Sequence, residues 1–149
     1  EKILSLRKTA IPCFTYSDFD CYVSQSYNVI KTSRFNLKSL VAILNSSVIR
    51  FWLRYKGKMQ GNNFQVDKVP LLSLPLLRTT KKDDEQLSSF VDEMIETHKQ
   101  LKLAKFDSDK KFLSQRIDLL DKKIDSYVSH LYGVSEEEMY KTPEAELLG

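Results

Sequence analysis

The chain contains 149 residues, of which 42% are hydrophobic and 29% are charged, and its formal net charge is +3. This hydrophobic content is enough for a core and too high for a chain that is disordered throughout. The longest apolar runs are too short to span a membrane, and Cys13 and Cys21 are more typical of reduced packing thiols than of a disulfide framework. We therefore expect a cytoplasmic protein without a membrane partner. Because the first residue, Glu1, is followed directly by a strand-like run, we also expect a fragment of a longer polypeptide.

Positive charge is concentrated in one part of the chain. Residues 31–68 contain eight bases and one acid, Asp67, whereas residues 81–149 contain eleven bases and sixteen acids. A segregated positive segment is typical of a protein that binds a polyanion, and nucleic acid is the first candidate. The alternative is an ordinary solvated surface, although such surfaces more often mix their charges.

The first region, up to about residue 32, is predicted to form short antiparallel strands. Residues 3–6, 21–23 and 27–30 are rich in β-branched, aliphatic and aromatic side chains, and turn-forming residues separate them. The aromatic residues of this region could stack on the bases of a single strand, but such residues more often fill the core of a small sheet. They are Tyr16, Phe19, Tyr22 and Tyr27.

The second region is predicted to be one long helix, then a loop and a strand. Asn36 is a candidate N-cap, and apolar residues follow it at helical spacing as far as Tyr55, which predicts a buried face. Residues 56–63 contain two glycines and no acid, which indicates a loop, and residues 64–66 return as a strand. Residues 69–77 contain two prolines and are predicted to be an extended connector.

The third region is predicted to be helical. Apolar residues repeat in two heptad seams, at residues 87–101 and 113–131, which predicts a coiled-coil-like antiparallel hairpin. One continuous helix is the alternative, because neither Gly nor Pro interrupts the pattern. Asp107 or Ser108 would cap the second arm, and Gly133 would end it.

Two short capping helices are predicted after Gly133, starting at residues 135–138 and 142–144. All these elements together predict an α+β fold. Residues 1–80 would form an α/β module with a small, mostly antiparallel sheet and one long packed helix, and residues 81–149 would form the helical hairpin.

Motifs for catalysis are absent from the sequence. It has no Gly-rich phosphate loop, no Cys-x-x-Cys pair and no Gly-x-Ser-x-Gly elbow. His98 and His130 are far apart on predicted helices, where a packing role is usual, and the acids of the tail follow the spacing of a solvated helix face. We therefore predict no catalytic residue, no metal ligand and no cofactor in this chain, which disfavours an enzyme in its own right.

The segment around the predicted loop combines cationic and amide side chains. Arg and Lys can hold phosphates, whereas Asn and Gln can form paired hydrogen bonds with adenine in the major groove. The alternative is a polar surface loop whose Asn and Gly residues serve the geometry of a turn. The predicted phosphate contacts are Lys31, Arg34, Arg50, Arg54, Lys56 and Lys58, and the predicted base readers are Gln60, Asn62, Asn63 and Gln65.

The order of these motifs resembles the TaqI-like C-terminal specificity domain of restriction–modification enzymes. Residues 40–46, LVAILNS, look like the LLALLNS helix of that family, and a basic loop with glycine, a strand and an LP turn follow in the same order. Residues 117–125, IDLLDKKID, and residues 131–138, LYGVSEEE, resemble the family's IDxxDxxID…LYGLTxEE ending. The resemblance therefore covers nearly the whole chain.

The resemblance implies the target-recognition part of a type IIG enzyme, in which one polypeptide joins a nuclease, an adenine-N6 DNA methyltransferase and a specificity region. Such a part would read double-stranded DNA and position it for methylation or cleavage. S-adenosylmethionine and magnesium would then be cofactors of the parent enzyme, and its methyltransferase domain or subunit would be a partner.

An alternative from a different class is a protein-interaction module. The seams of the helical hairpin would then pair with another chain, as in a separate specificity subunit of the type I kind.

Overall fold

The structure, a computed structural model, describes residues 1–140. Six strands and six helices are found in these residues, which confirms the predicted α+β class. In chain order they are β1 (Lys2–Leu6), β2 (Lys8–Thr9), β3 (Phe14–Ser17), β4 (Tyr27–Ile30), α1 (Leu37–Leu44), α2 (Ser47–Tyr55), β5 (Lys58–Gln60), β6 (Asn63–Gln65), α3 (Lys68–Leu72), α4 (Lys81–Leu103), α5 (Asp107–Tyr132) and α6 (Glu136–Tyr140). The strands form two three-stranded antiparallel sheets instead of one.

The first sheet has the strand order β3-β1-β4. Alternation along β1 turns Ile3 and Ser5 into the protein, where both are buried, and leaves Leu6 exposed on the opposite face. The strand predicted at residues 21–23 is wrong, because these residues lie in the connection between β3 and β4, and Tyr22 is fully exposed there. The strand that pairs with β1 in its place is β3.

Arg7 marks the point where the chain passes from the first sheet to the second. Its amide N–H donates to Ser26 O (2.8 Å) beside the first sheet, and its carbonyl accepts from Val66 N (2.7 Å) beside the second. The side-chain amide of Asn28 adds a second link, because it donates both to Ser5 Oγ in β1 and to Val66 O. The two sheets are therefore fixed relative to each other.

The second sheet has the strand order β2-β6-β5. The loop predicted over residues 56–63 is therefore wrong for half of its length, since residues 58–60 form β5 and residue 63 begins β6, whereas residues 56–57 and the turn at 61–62 lie outside the strands. The predicted strand at residues 64–66 is confirmed as part of β6, one residue earlier in the chain.

The single long helix predicted after Asn36 is wrong, because Asn45 and Ser46 divide it into α1 and α2. Asn36 does cap α1, as predicted. The Asn45 side chain binds the edge of β3, where it accepts from Phe14 N (2.9 Å) and donates to Phe14 O (2.8 Å), and Ser46 caps α2. The apolar stripe continues across this break, so periodicity alone does not reveal it.

The connector predicted over residues 69–77 is only partly extended. Its first residues belong to α3, in which Pro70 lies in the first turn, where a backbone N–H has no acceptor within the helix. The part that follows Leu72 is irregular, and the Tyr132 hydroxyl holds it by donating to Pro75 O at 2.9 Å.

Helices α4 and α5 form the predicted hairpin, joined by residues 104–106. The residue before α5 is Phe106, which makes no side-chain cap, so the cap predicted at Asp107 or Ser108 is wrong. Gly133 ends α5 with a φ of +65°, as predicted. The heptad pattern predicts His98 as a seam residue of α4, but Thr97 is buried in its place and His98 is exposed. The shift arises because an α-helix has 3.6 residues per turn, so a strict seven-residue repeat gradually moves around the helix surface.

A capping box formed by Ser135 and Glu138 precedes α6, as predicted: Ser135 N donates to Glu138 Oε2 (2.7 Å) and Glu138 N donates to Ser135 Oγ (3.2 Å). The second short helix predicted at residues 142–144 lies outside the described residues. Among the helices of residues 1–140, none is both long and apolar enough to cross a membrane.

One hydrophobic core joins the first sheet, α1, α2 and the hairpin near its open end. Ile3, Ile43, Ile49, Leu87 and Val128 are at most 1% exposed in this core. The predicted division at residue 80 coincides with the start of α4, and the core crosses it.

Polar contacts fix the hairpin to the rest of the protein. Lys38 Nζ lies 2.6 Å from Asp92 Oδ1, which ties α1 to α4. Asp125 Oδ1 accepts from Ser47 N (2.6 Å) at the N-terminus of α2, where a carboxylate is favoured by the helix dipole. Asp125 is the last residue of the IDLLDKKID segment, so this segment has a structural role in positioning α2.

Candidate nucleic-acid interface

The outer face of the second sheet carries polar and cationic side chains. Lys8, Gln65 and Lys58 are direct cross-strand partners, so their side chains form one row on one face. Gln60 and Asn63 are also cross-strand partners, and each lies two residues from a member of that row, which places them on the same face.

The opposite face of this sheet points into the protein. Phe64 is 6% exposed there and packs in the core, and Met59 packs against the core beside it. The alternation of the two strands therefore separates an apolar side from a side whose five residues are all Lys, Gln or Asn. We call this set, Lys8, Lys58, Gln60, Asn63 and Gln65, the polar sheet face.

The turn between β5 and β6 consists of Gly61 and Asn62. Gly61 has a φ of +59° and Asn62 does not have a positive φ, which is the pattern of a type II′ turn with glycine in its first central position. Asn62 is exposed at the end of the hairpin. Two of the predicted base readers, Gln60 and Asn63, thus flank a tight turn, with a third at its tip.

Gln60 and Gln65 bind each other through their side chains. Gln65 Nε2 donates to Gln60 Oε1 at 3.0 Å, and Gln65 Oε1 is buried without a hydrogen-bond partner among the described residues. One polar atom of Gln65 is therefore left to be satisfied, and the Gln60 amide keeps its two N–H donors. Because Gln65 Oε1 is inaccessible to solvent, of these groups only the N–H donors of the exposed Gln60 amide can meet a base edge directly.

The cations of α2 lead directly into this hairpin. Arg50 and Arg54 are four residues apart and exposed, so they lie on one side of the helix, and the exposed Lys56 follows as its C-cap. Only Lys56 and Gly57 separate α2 from β5. The amide N–H groups of both donate to Trp52 O, at 2.7 and 3.2 Å, so the helix end and the hairpin are held together by backbone contacts.

Gly57 is required at this junction by a close approach of the backbone. A Cβ atom at this position would stand 2.4 Å from the Leu53 carbonyl oxygen. Any other residue would push β5 away from the end of α2.

The predicted phosphate contacts form no ion pair with a carboxylate of residues 1–140. All six are exposed: Lys31, Arg34, Arg50, Arg54, Lys56 and Lys58. By contrast, Lys38 from the same basic segment is paired with Asp92. Asp67, the single acid of the segment, is bound to Arg7 with 3.3 Å between Oδ1 and Nε.

The structure brings together part of the predicted set. Lys58, Gln60, Asn63 and Gln65 share one face, Asn62 lies at their turn, and Arg54 and Lys56 precede them. Lys31 and Arg34 belong to the segment between β4 and α1, and no hydrogen bond or ion pair in the described part of the chain joins them to the second sheet.

Lys8 is a member of the polar sheet face that sequence reasoning missed. It follows Arg7 in a short basic pair, but it is more than forty residues from the β5–β6 hairpin. Only the pairing of β2 with β6 places it beside Gln65. A basic residue at the end of a predicted strand is the single sequence signal that could have indicated it.

The aromatic residues of the first region do not form one stack. Tyr22 and Phe19 are exposed in the connection between β3 and β4, whereas Tyr16 packs against the core. The Tyr16 hydroxyl donates to the Glu1 carboxylate, which raises the pKa of Tyr16 to about 12 because ionisation would remove that hydrogen bond.

No family model, curated protein or solved structure matches the chain. The resemblance to a specificity domain therefore depends on the sequence motifs alone. Within residues 1–140, no group of three or more His, Cys, Asp or Glu side chains is arranged to hold a metal ion.

Proposed function

We propose that this chain is a duplex DNA recognition module of a restriction–modification enzyme, which positions DNA for adenine methylation or cleavage by catalytic domains elsewhere in the parent protein. The polar sheet face is the observation that carries this proposal. It combines cations without a carboxylate partner in the described chain and amides that can pair with base edges, on one side of the second sheet.

The shape of the β5–β6 hairpin supports this function. A two-stranded β-ribbon fits into the major groove of B-DNA, where each base pair presents a distinct pattern of donors and acceptors. Gln60, Asn62 and Asn63 lie at the turn end of the hairpin, the part of a ribbon that would enter the groove first. Lys8 and Lys58 lie one row further back, where phosphates at the rim of the groove would be met.

The cations of α2 would contact phosphates, whereas the amides of the hairpin would contact bases. Contacts to phosphates hold a protein on DNA and carry no sequence information, whereas contacts to base edges choose the sequence. Arg50, Arg54 and Lys56 lie on the element that leads into the hairpin and would supply the first kind of contact. Lys31 and Arg34, which are exposed in the segment between β4 and α1, would supply further phosphate contacts.

The resemblance to the TaqI-like specificity domain adds the biological setting. It supports a partner methyltransferase domain or subunit and a parent enzyme that uses S-adenosylmethionine. The motifs behind the resemblance have defined roles in this fold, because Asn45 and Ser46 create the break before α2 and Asp125 binds the start of that helix.

Binding of the full chain to a mixed pool of DNA duplexes over a salt series tests the electrostatic part. Lys8→Ala and Lys58→Ala should each weaken binding on all sequences and lower the slope of log K against log salt by about 0.9. Lys111→Ala, an exposed cation at the closed end of the hairpin, is the matched control and should leave the slope unchanged. Absence of duplex affinity at low salt would contradict the proposal.

Selection of preferred sites from a randomised duplex library tests the reading part. Gln60→Ala and Asn62→Ala should relax the preference at individual positions, by about 1–3 kcal/mol for each lost paired contact. Gln115→Ala, an exposed amide on α5, should leave the selected sequence unchanged. A selected sequence that is identical for all these variants would assign base reading to another surface.

A further inference from the structure

The closed end of the α4–α5 hairpin exposes large apolar side chains. Leu103 is 78% exposed, Phe106 is 71% exposed and Phe112 is 63% exposed. Leu103 and Phe112 line one shallow groove together with the buried Leu113, so these side chains are neighbours across the two helices. We call this region, residues 99–113, the hairpin tip.

The apolar surface continues from the tip along α5. Leu119 is 67% exposed and follows Phe112 by seven residues, so both lie on the same side of the helix. Two turns separate them, a rise of about 10 Å. The exposed surface therefore has the length of a stripe that another helix can cover.

In residues 1–140, the helices that pack on the hairpin cover its open end and not its tip. Helix α4 has 23 residues and α5 has 26, so each arm is about 35–40 Å long. Helices α1 and α2, which pack against the open end, have eight and nine residues and are only about 12–14 Å long. The two seams themselves are closed, since Leu113, Leu120 and Ile124 are buried within this chain. A partner would therefore bind at the tip and along the outer stripe.

The charged residues around the hairpin tip indicate what kind of partner would bind there. Between Lys99 and Phe112 there are five lysines and two aspartates. Asp107 pairs with Lys110 at 3.6 Å, and Asp109 lines the groove, so the excess of positive charge lies beside the groove and not within it. Lys99 precedes Leu103 by four residues, so its ammonium group lies beside the apolar surface.

We propose that the hairpin tip binds an acidic amphipathic helix of a partner protein. Apolar side chains of that helix would fill the groove between Leu103 and Phe112 and cover Leu119, and its carboxylates would face the lysines beside the groove. This surface lies on a different part of the chain from the polar sheet face, and the proposal does not depend on DNA recognition.

The arrangement fits a protein partner better than a membrane or a nucleic acid. Asp107 and Asp109 interrupt the lysines of the tip, which disfavours the continuous negative charge of a membrane or a phosphate backbone more than a helix whose carboxylates can lie opposite individual lysines. A phosphate backbone also offers no apolar surface to cover Leu103, Phe106 and Phe112. A helix that carries both apolar and acidic residues satisfies both features of the tip.

A display library of random peptides of about 18 residues, selected on the full chain, tests the proposal. The expected result is enrichment of peptides with Leu or Phe at helical spacing and an excess of Asp and Glu. The double variant L103S/F112S should weaken their binding about tenfold or more, and the charge reversal K99E/K102E should weaken acidic peptides while leaving the apolar groove intact. Leu72→Ser, at an equally exposed apolar site on α3, is the control and should bind them as the unmodified chain does.

Three outcomes would overturn the proposal. The first is a selection in which no peptide depends on Leu103 and Phe112, or in which the dependent peptides are not acidic. The second is binding to phosphatidylserine vesicles that is lost in L103S/F112S, which would assign the tip to a membrane. The third is a concentration-dependent dimer in sedimentation that the same substitutions abolish, which would make a second copy the occupant.

Discussion

Arg7 holds Asp67, with 3.3 Å between the guanidinium Nε and the carboxylate Oδ1. This pair neutralises the single acid among residues 31–68 and leaves the cations of α2 and the β5–β6 hairpin without a carboxylate partner in the described chain. The Arg7 guanidinium also donates to Gln25 O at 3.3 Å, so it links the connection after β3 to the end of β6.

Asp67→Asn should therefore raise the affinity for duplex DNA at low salt and make the salt dependence steeper, because it frees one positive charge near the proposed interface. The free energy of unfolding should change by less than about 1 kcal/mol, since both side chains of the pair are substantially exposed. Salt-dependent binding and urea unfolding measure the two effects. Arg7→Ala, which removes the cation instead, should lower the affinity; equal effects of both substitutions would contradict the electrostatic explanation.

Gly57→Ala should disturb the junction of α2 and β5. The added Cβ would stand 2.4 Å from Leu53 O, so the backbone must move, at a cost of about 1–3 kcal/mol in the free energy of unfolding. Gly61→Ala is the matched control, because the space around it is open and only its φ of +59° opposes a side chain, at about 1–2 kcal/mol. Amide exchange in β5 and β6 separates them: Gly57→Ala should also unprotect the end of α2, whereas Gly61→Ala should affect the turn alone.

The start of α4 should lose stability in acid through Asp83. Hydrogen bonds from the Thr80 side chain, from the Tyr127 hydroxyl and from the Thr80 backbone hold the pKa of this carboxyl below its ordinary value of 3.8. Because the folded-state pKa is lowered, ionised Asp83 stabilises the fold above pH 3.8, and this contribution is lost as the pH falls through the folded-state value.

Asp83→Asn should therefore lower the free energy of unfolding at pH 7, and the difference from the unmodified chain should shrink when urea unfolding is repeated below pH 3.8. Asp118→Asn, at an exposed carboxylate on α5, is the control and should show no such change. A difference for Asp83→Asn that is the same at both pH values would rule out this linkage.

Asn45→Ala should be among the most destabilising single changes at a polar position. It removes three hydrogen bonds, two to the Phe14 backbone and one to Val41 O at 3.0 Å, and leaves partly buried backbone groups unpaired, at about 2–3 kcal/mol in total. Ser46→Ala, which removes the α2 cap and the hydrogen bond that Ser46 Oγ donates to Ile43 O (2.7 Å), should cost about 1–2 kcal/mol. Chemical unfolding measures both, and equal losses would show that the contact with Phe14 contributes little.

The helical hairpin was predictable from the sequence because its signal is local and long. Two seams of apolar residues and a glycine after the last turn specify both arms, and Gly133 indeed ends α5. The break between α1 and α2 was not predictable in this way, since Asn45 acts through a strand thirty-one residues earlier.

The candidate interface was likewise only partly predictable from the sequence. The mixture of Lys, Arg, Asn and Gln at residues 50–65 is visible in the sequence, but the sequence predicts a loop over residues 56–63, where the β5–β6 hairpin forms. Two strands of three residues each are too short for alternation to be distinctive. Lys8 joins the polar sheet face only through strand pairing, which depends on how the chain changes sheets at Arg7.

The hydrogen bonds from Asn45 also affect whether the β3 edge can pair with a strand of another molecule. An uncovered outer strand presents backbone donors and acceptors that can recruit a strand from a neighbour and start ordered aggregation. At Phe14 both groups are already occupied by a side chain from the same molecule. One asparagine thus satisfies the outward-facing backbone groups at the start of β3, so a strand from another molecule could pair with this end of the sheet only by displacing that side chain.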